Sequence, residues 1–163
     1  MAWNKEWIRF VVVMLIQVLL LNQIQFFGVC HPYIFILFLM MMPITLPAWV
    51  DSCVGASVGL LMDVACNSLG VHMAACVLIM YMRRPLIRHL VLEYERLNSE
   101  ISSRTIGLNS FIKYSLLLVP AYHLMVFMLS AWGFAHIGWV LLQTVVSSIV
   151  CVLLIIGYNT LRK

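Results

Sequence analysis

Few side chains in this sequence could do chemistry, and the most conspicuous is Asp63, a carboxylate inside a long apolar stretch. General acid–base catalysis would need to pair it with His72 or His123. The sequence contains no nucleophile elbow, no zinc-protease motif and no phosphate-binding loop. We therefore expect that this protein is not an enzyme.

The cysteines give no better support for metal or disulfide chemistry. They are odd in number, form no Cys-x-x-Cys pair and mostly lie in apolar runs, as small buried apolar residues do. They are Cys30, Cys53, Cys66, Cys76 and Cys151. We expect no metal site, no cofactor and no disulfide framework.

The polar residues within apolar stretches form a short set: Gln17, Asn22, Asp63, His72, His123 and Gln143. A buried charge in a membrane costs a few kcal/mol even on the mildest scale, and Asp63 lies near the unfavourable negative end of its helix dipole. Measured from a turn at 67–70, Asp63 lies roughly 6 to 9 Å and His72 roughly 3 to 5 Å along their helices. The two can meet directly or through water, whereas Arg84, at roughly 20 Å, is too far away.

Asn22 and His123 are further candidate partners of Asp63. Two interpretations remain open for this group. It is either a hydrogen-bond network that clamps helices together, or a site for a ligand or a proton.

Small residues lie on the same helix as Asp63. Gly55, Gly59 and Asp63 are spaced i, i+4, i+8, and a Gly-x-x-x-Gly pair lets membrane helices approach closely. This spacing predicts a central helix with Asp63 turned inward.

The elements that position these residues follow from composition and charge. The chain of 163 residues is 64% hydrophobic and 10% charged, with a mean hydropathy of +1.03. Its lysines and arginines lie only near the start, between 83 and 113, and at the end. The positive-inside rule then predicts one integral membrane domain with both termini and a central loop in the cytoplasm. The net charge of +4 is dispersed over loop ends and predicts contact with lipid headgroups rather than nucleic acid.

About 20 residues per crossing gives room for roughly six helices. We expect an all-α bundle, and an even number of crossings must separate Arg9 from Arg83. A re-entrant hairpin over 51–82 would preserve that parity, but full crossings are favoured. The predicted helices are 8–27, 33–47, 51–66, 71–82, 111–131 and 137–158.

Between the fourth and fifth helices, apolar residues recur at helical spacing from Leu86 to Ile101, and Pro85 occupies a first-turn position. This predicts a cytoplasmic amphipathic helix over 85–101. It either lies on the lipid headgroups or offers its exposed face to a cytoplasmic partner.

Several motifs in this order resemble the rod shape-determining family MreD, especially its Bacteroidetes-type members. They are Gln17 to Asn22 with Phe27, Pro32-Tyr33, Gly59-Leu60-x-x-Asp63, Gly70-x-His72-x-Ala74, Arg84-Pro85 and the late His123. The resemblance covers nearly the whole chain. The candidate structural and interaction residues are Gln17, Asn22, Gly55, Gly59, Leu60, Asp63, Gly70, His72, Arg84, Pro85 and His123.

The resemblance implies a bacterial inner-membrane subunit of the complex that directs lateral peptidoglycan synthesis. It implies direct contact with MreC through membrane helices, and membership of a complex with MreB and the wall-building transpeptidase and glycosyltransferase. It also implies a six-helix bundle similar to the S components of energy-coupling-factor transporters. A small-molecule (vitamin) binding subunit on that fold is the alternative function.

For such a scaffold, our mechanistic hypothesis gives roles to particular residues. Gly59, Asp63 and His72 would hold helices 3 and 4 together and shape an outward-facing cavity. Arg84-Pro85 would fix the start of the surface helix. The loop before helix 3 departs from the family, because Asp51 is its only charge, and we expect no cytoplasmic contact there.

Overall fold

The computed structural model describes residues 11–18, 31–91, 101–131 and 137–161. This part of the chain is all-α and contains no strand. We number its seven helices α1 (residues 11–18), α2 (Ile36–Met41), α3 (Ala48–Cys66), α4 (Val71–Leu90), α5 (Ser103–Ile106), α6 (Leu108–Ser130) and α7 (Ile137–Leu161). Of the first predicted helix, only residues 11–18 are described, and they are helical.

Three helices are long and apolar enough to cross a membrane: Ala48–Cys66, Leu108–Ser130 and Ile137–Asn159. Their outward faces carry large apolar side chains, such as Leu60, Leu117 and Leu153, that are half or more exposed. Polar side chains such as Ser115 and Ser147 instead turn into the bundle. These spans indicate a multi-pass membrane protein, because lipid rather than water suits such a surface.

Helices α3 and α4 form an antiparallel hairpin, the most extensive helix pair among the described elements, and α4 also packs against α2 and α6. Proline at 47 precedes the first turn of α3, and α3 ends at Asn67, which adopts left-handed backbone (φ 53°). Gly70 is also left-handed (φ 80°) and leads directly into α4. Glycine suits this position because it has no Cβ to oppose that conformation.

The helix α4 is longer than the predicted 71–82. It continues through Pro85 to Leu90 and carries Arg83, Arg84 and Arg88 near its end. At 20 residues it is about 30 Å long. Pro85 is exposed on its surface, so the ring does not disturb the packing of the buried face.

The predicted surface helix over 85–101 therefore differs from the structure. Pro85 lies inside α4, and residues 92–100 lie outside the described part of the chain. Ile101 is buried and donates its backbone N–H to the Met41 carbonyl. The short α5 follows, with a capping box formed by Ser102 and Thr105.

The second predicted helix, 33–47, is much shorter in the structure. Only Ile36–Met41 is helical, and Met42 leaves the helix with extended backbone (ψ 140°). Pro43 and Pro47 explain the early end, because proline lacks an amide hydrogen and the residue before it disfavours helical backbone.

Segment 31–47 nevertheless runs along most of the α3–α4 hairpin. The Tyr33 ring lies 5.1 Å from the ring of His72 near the start of α4. The carbonyls of Met42 and Pro43 contact Arg83 near its end. Since the helical rise between His72 and Arg83 is about 17 Å, the segment traverses the bundle as irregular backbone around one short helix.

Candidate functional site

Asp63 fastens α3 to the first turn of α4. Its Oδ1 accepts the backbone N–H of His72 (2.8 Å) and the Ser68 hydroxyl (2.6 Å), and its Oδ2 accepts the N–H of Met73 (2.9 Å). The carboxylate is 3% exposed. The positive pole of α4 and these three donors compensate the buried negative charge, as an N-terminal cap does.

His72 meets Asp63 through its backbone and not through its ring. The imidazole Nδ1 instead lies 2.6 Å from the Tyr122 hydroxyl on α6. The ring also packs edge-on against Tyr33. The Asp63 carboxylate and the His72 imidazole therefore do not form the acid–base pair that catalysis by these residues would need. They lie on opposite sides of the first turn of α4 and bind different partners.

Gly59 lets the two helices approach at this turn. A Cβ on Gly59 would lie 2.7 Å from the His72 carbonyl oxygen, and one on Gly55 would lie 2.7 Å from Cγ of Met80. Such separations are too short for a real side chain, so α3 and α4 pack as the glycine spacing predicts. Leu60, by contrast, is on the outward face of α3 and 53% exposed.

Gln17 and His123 hold the irregular backbone between 31 and 34. The Gln17 amide donates to the Pro32 carbonyl (3.1 Å) and accepts the N–H of Ile34 (2.8 Å). His123 places its Nε2 3.3 Å from the His31 carbonyl oxygen. Asn22 lies outside the described residues.

Two side chains of α7 complete this support. The Ser147 hydroxyl accepts the N–H of His31 (3.0 Å), and the Cys151 thiol donates to the Tyr33 carbonyl (3.3 Å). Irregular backbone is tolerated at membrane depth only when its polar groups find such partners.

The far end of the hairpin holds a cluster of charged side chains, Asp51, Arg83 and Arg84, that we did not predict from the sequence. Arg83 is fully buried and donates from Nη1 to the carbonyls of Leu39 (2.9 Å) and Met42 (3.0 Å), and from Nη2 to Pro43 (3.0 Å). Its Nη2 also lies 3.3 Å from a carboxylate oxygen of Asp51, which is 1% exposed.

Arg84 shares that carboxylate. Its Nε donates to Asp51 Oδ2 at 2.8 Å, and its Nη2 contacts both that oxygen (2.7 Å) and the Leu46 carbonyl. Arg84 therefore fastens the loop before α3 rather than the start of a surface helix. The signal was present in the sequence, since Asp51 lies in the first turn of one helix of the hairpin and Arg83 and Arg84 lie near the end of the other.

These contacts, with two others, satisfy the carbonyl groups at the end of α2. The Tyr114 hydroxyl donates to the Met40 carbonyl (3.2 Å), and the Ile101 N–H donates to that of Met41 (3.1 Å). A buried helix end needs partners for its last carbonyls, and a cation suits its negative pole. Arg83 supplies hydrogen-bond donors for these carbonyls and also the positive charge.

Across the ranges that the structure describes, no three His, Cys, Asp or Glu side chains lie close enough to hold a metal ion. Several buried polar side chains, among them Gln17, Asp63 and Arg83, bond to backbone groups of neighbouring elements. What this arrangement does physically is fix helix ends and irregular backbone inside an apolar bundle.

Comparison of the chain with protein-family models, with curated proteins and with solved structures gives no match.

Proposed function

We propose that this chain is an MreD-type subunit of a bacterial cell-elongation complex. In this proposal it is a non-catalytic scaffold in the inner membrane that supports lateral peptidoglycan synthesis and rod shape. It binds MreC through membrane helices, and MreB, the transpeptidase and the glycosyltransferase belong to the same complex.

The proposal rests on one observation: the buried polar groups of the family-like motifs bind other parts of the α3–α4 hairpin. Three residues of the family-like motifs, Gly59, Asp63 and His72, meet at one turn of α4. The Asp63 carboxylate accepts hydrogen bonds from Ser68, His72 and Met73, all within the hairpin itself. This pattern favours a rigid docking body over a centre that turns over a substrate.

The proposed topology is a six-crossing bundle similar to S components, with both termini in the cytoplasm. Arginines at the end of α4 favour placing that end at the cytoplasmic surface by the positive-inside rule. Asp63 and the turn at 67–70 then face outward. Residues near the end of α4 belong to the proposed cytoplasmic surface region.

The mechanism requires no chemical step. A scaffold must present a fixed surface at lipid depth, where van der Waals packing and hydrogen bonds drive helix association. The Asp63 cap and the Arg83 cluster keep the elements of that surface in register. Partner helices then meet a preformed bundle and lose less conformational entropy on binding.

The test is complementation in cells depleted of their own MreD, combined with co-purification of MreC. Asp63→Ala should yield rounded cells and recover much less MreC, because the start of α4 loses its cap. Val64→Ala is the matched control, since Val64 is the next residue and 77% exposed. Normal rod shape and full MreC recovery with Asp63→Ala would contradict the proposal.

A small-molecule binder on the same fold makes a different prediction. A thermal-shift screen of the purified protein against vitamins would raise the melting temperature of a binder, because a ligand of the folded state stabilises it. A scaffold shows no such shift. Stabilisation by one vitamin would favour a transporter subunit and overturn the scaffold assignment.

A further inference from the structure

The cluster of charged side chains near the end of α4 carries more positive than negative formal charge. It joins the guanidinium groups of Arg83 and Arg84 to the single carboxylate of Asp51. In the ranges that the structure describes, no other carboxylate contacts either arginine. The backbone carbonyls that Arg83 contacts offset the cost of its burial, but they are neutral dipoles and leave its net charge unchanged. The cluster therefore attracts a further anion.

The same cluster is short of hydrogen-bond acceptors. Arg83 Nε is buried and has no hydrogen-bond partner. The bonds of Arg84 come from its Nε and Nη2, which contact Asp51 and the Leu46 carbonyl. A guanidinium group also donates through Nη1, and its planar fork suits a phosphate group. Nη1 of Arg84 is therefore left to donate to an acceptor outside the cluster.

Only the Arg84 edge of the cluster is open to the surroundings. The Arg84 side chain is 25% exposed, whereas those of Arg83 and Asp51 are 0% and 1% exposed. Thr45 is exposed and immediately precedes Leu46, whose carbonyl Arg84 contacts. An anion that binds Arg84 therefore lies near Thr45, whose hydroxyl is a second hydrogen-bond donor.

The surroundings of this edge match the headgroup level of a membrane. Trp49 and Tyr81 are 70% and 75% exposed, and aromatic residues of these two types are enriched at membrane–water interfaces. Val77, Tyr81 and Arg84 follow one another at helical spacing on one face of α4. An acyl chain that packs along this face brings its phosphate to Arg84, so a phospholipid fits the site better than a free anion does.

We propose that Arg84, assisted by Thr45, binds the headgroup phosphate of an anionic phospholipid such as phosphatidylglycerol. The phosphate accepts hydrogen bonds from Arg84 Nη1 and from the Thr45 hydroxyl, and its charge balances the surplus of the cluster. A zwitterionic headgroup brings its own cation and balances that surplus less well. This defined site differs from the general attraction of basic loops to headgroups, and it does not depend on the scaffold role.

The test titrates lipid into the full chain in a neutral detergent and follows the melting temperature, because a ligand of the folded state stabilises it. Phosphatidylglycerol should bind about five-fold more tightly than phosphatidylcholine, the effect of one arginine at a membrane surface. Equal stabilisation by the two lipids would overturn the proposal without any variant. So would stabilisation by soluble glycerol 3-phosphate equal to that by phosphatidylglycerol, since the occupant would then be a free phosphate.

Three variants locate the site. Arg84→Gln removes the exposed guanidinium and leaves the contact of Arg83 with Asp51, so the preference for phosphatidylglycerol should disappear. Lys113→Gln removes one exposed cation from α6 and should keep the preference. Thr45→Val should reduce it about two-fold, the effect of one exposed neutral hydrogen bond.

Two outcomes of these variants would overturn the proposal. One is a preference that persists in Arg84→Gln, and the other is a preference that falls equally in Lys113→Gln, since either result indicates general charge attraction alone. If Arg84→Gln does not fold, Thr45→Val decides the matter, because its position is exposed. An undiminished preference in that variant would then contradict the site.

Discussion

The two ends of the α3–α4 hairpin bury opposite charges in a parallel way. At one end Asp63 accepts backbone N–H groups at the start of α4, and at the other Arg83 donates to carbonyls at the end of α2. Each charge sits at the helix pole of opposite sign. The comparison shows that backbone groups can compensate most of a buried charge, with or without a counterion.

The two ends of the hairpin differ in the number of structural elements that their buried charges join. Asp63 joins two helices that are consecutive in the chain. Arg83 joins α2, the following loop and α3 to α4, and it shares Asp51 with Arg84. Losing the Arg83 guanidinium therefore leaves three carbonyls and part of a carboxylate without their donor, so the Arg83 end should be more sensitive to mutation.

Arg83→Met should have the largest effect. It keeps much of the apolar volume but removes every donor, and breaking a buried ion pair from one side costs about 3 to 5 kcal/mol. Equilibrium unfolding in detergent measures the loss. Lys113→Met, at an exposed position on α6, should change stability by less than about 0.5 kcal/mol. Equal losses for the two variants would show that the Arg83 contacts contribute little.

Gly59→Ala tests the close packing at the Asp63 end. The added Cβ would meet the backbone of α4, which cannot rotate away as a side chain can, and overpacking of this kind costs about 1 to 3 kcal/mol. Gly157→Ala is the control, because a Cβ there would meet nothing within 4 Å. It should be neutral or stabilise α7 by up to about 1 kcal/mol. If both alanines stabilise the protein, the hairpin is more loosely packed than described.

Tyr122→Phe should have the smallest effect. It removes only the hydroxyl that contacts Nδ1 of His72 and keeps the ring packing with Tyr33 and Phe35. The loss of one hydrogen bond costs about 0.5 to 1.5 kcal/mol. Tyr81→Phe, at a position 75% exposed, provides the baseline in the same unfolding assay. A larger loss than for Gly59→Ala would contradict this ranking of the contacts.

The sequence predicted the Asp63 end better than the Arg83 end, for a physical reason. Asp63, His72 and Gly59 lie within one helical hairpin, so helical rise and one turn suffice to estimate their distances. The estimate brought Asp63 and His72 together, but the backbone N–H and not the imidazole is the contact. The His72 imidazole points away from Asp63 because α6 packs against α4 and offers the Tyr122 hydroxyl as its partner. The position of α6 could not be estimated from the hairpin alone.

The Arg83 end was missed because its partners are distant in sequence. Leu39, Met42 and Pro43 contribute carbonyl groups, which every residue has, so their types gave no signal. The length of α2 was misjudged for a related reason. An apolar run from 33 to 47 is consistent with a helix, and only side-chain partners such as Gln17, Arg83 and Tyr114 make irregular backbone stable there.

The Asp63 carboxylate holds the start of α4 by accepting the N–H groups of His72 and Met73. Site-resolved amide hydrogen exchange in lipid nanodiscs, compared between the wild type and Asp63→Ala, measures how firmly these two amides are held. In Asp63→Ala we expect at least about ten-fold faster exchange at these two amides, the effect of losing a charged hydrogen bond at each, with little change at Ile101 near the Arg83 end. Unchanged exchange at His72 and Met73 would contradict it.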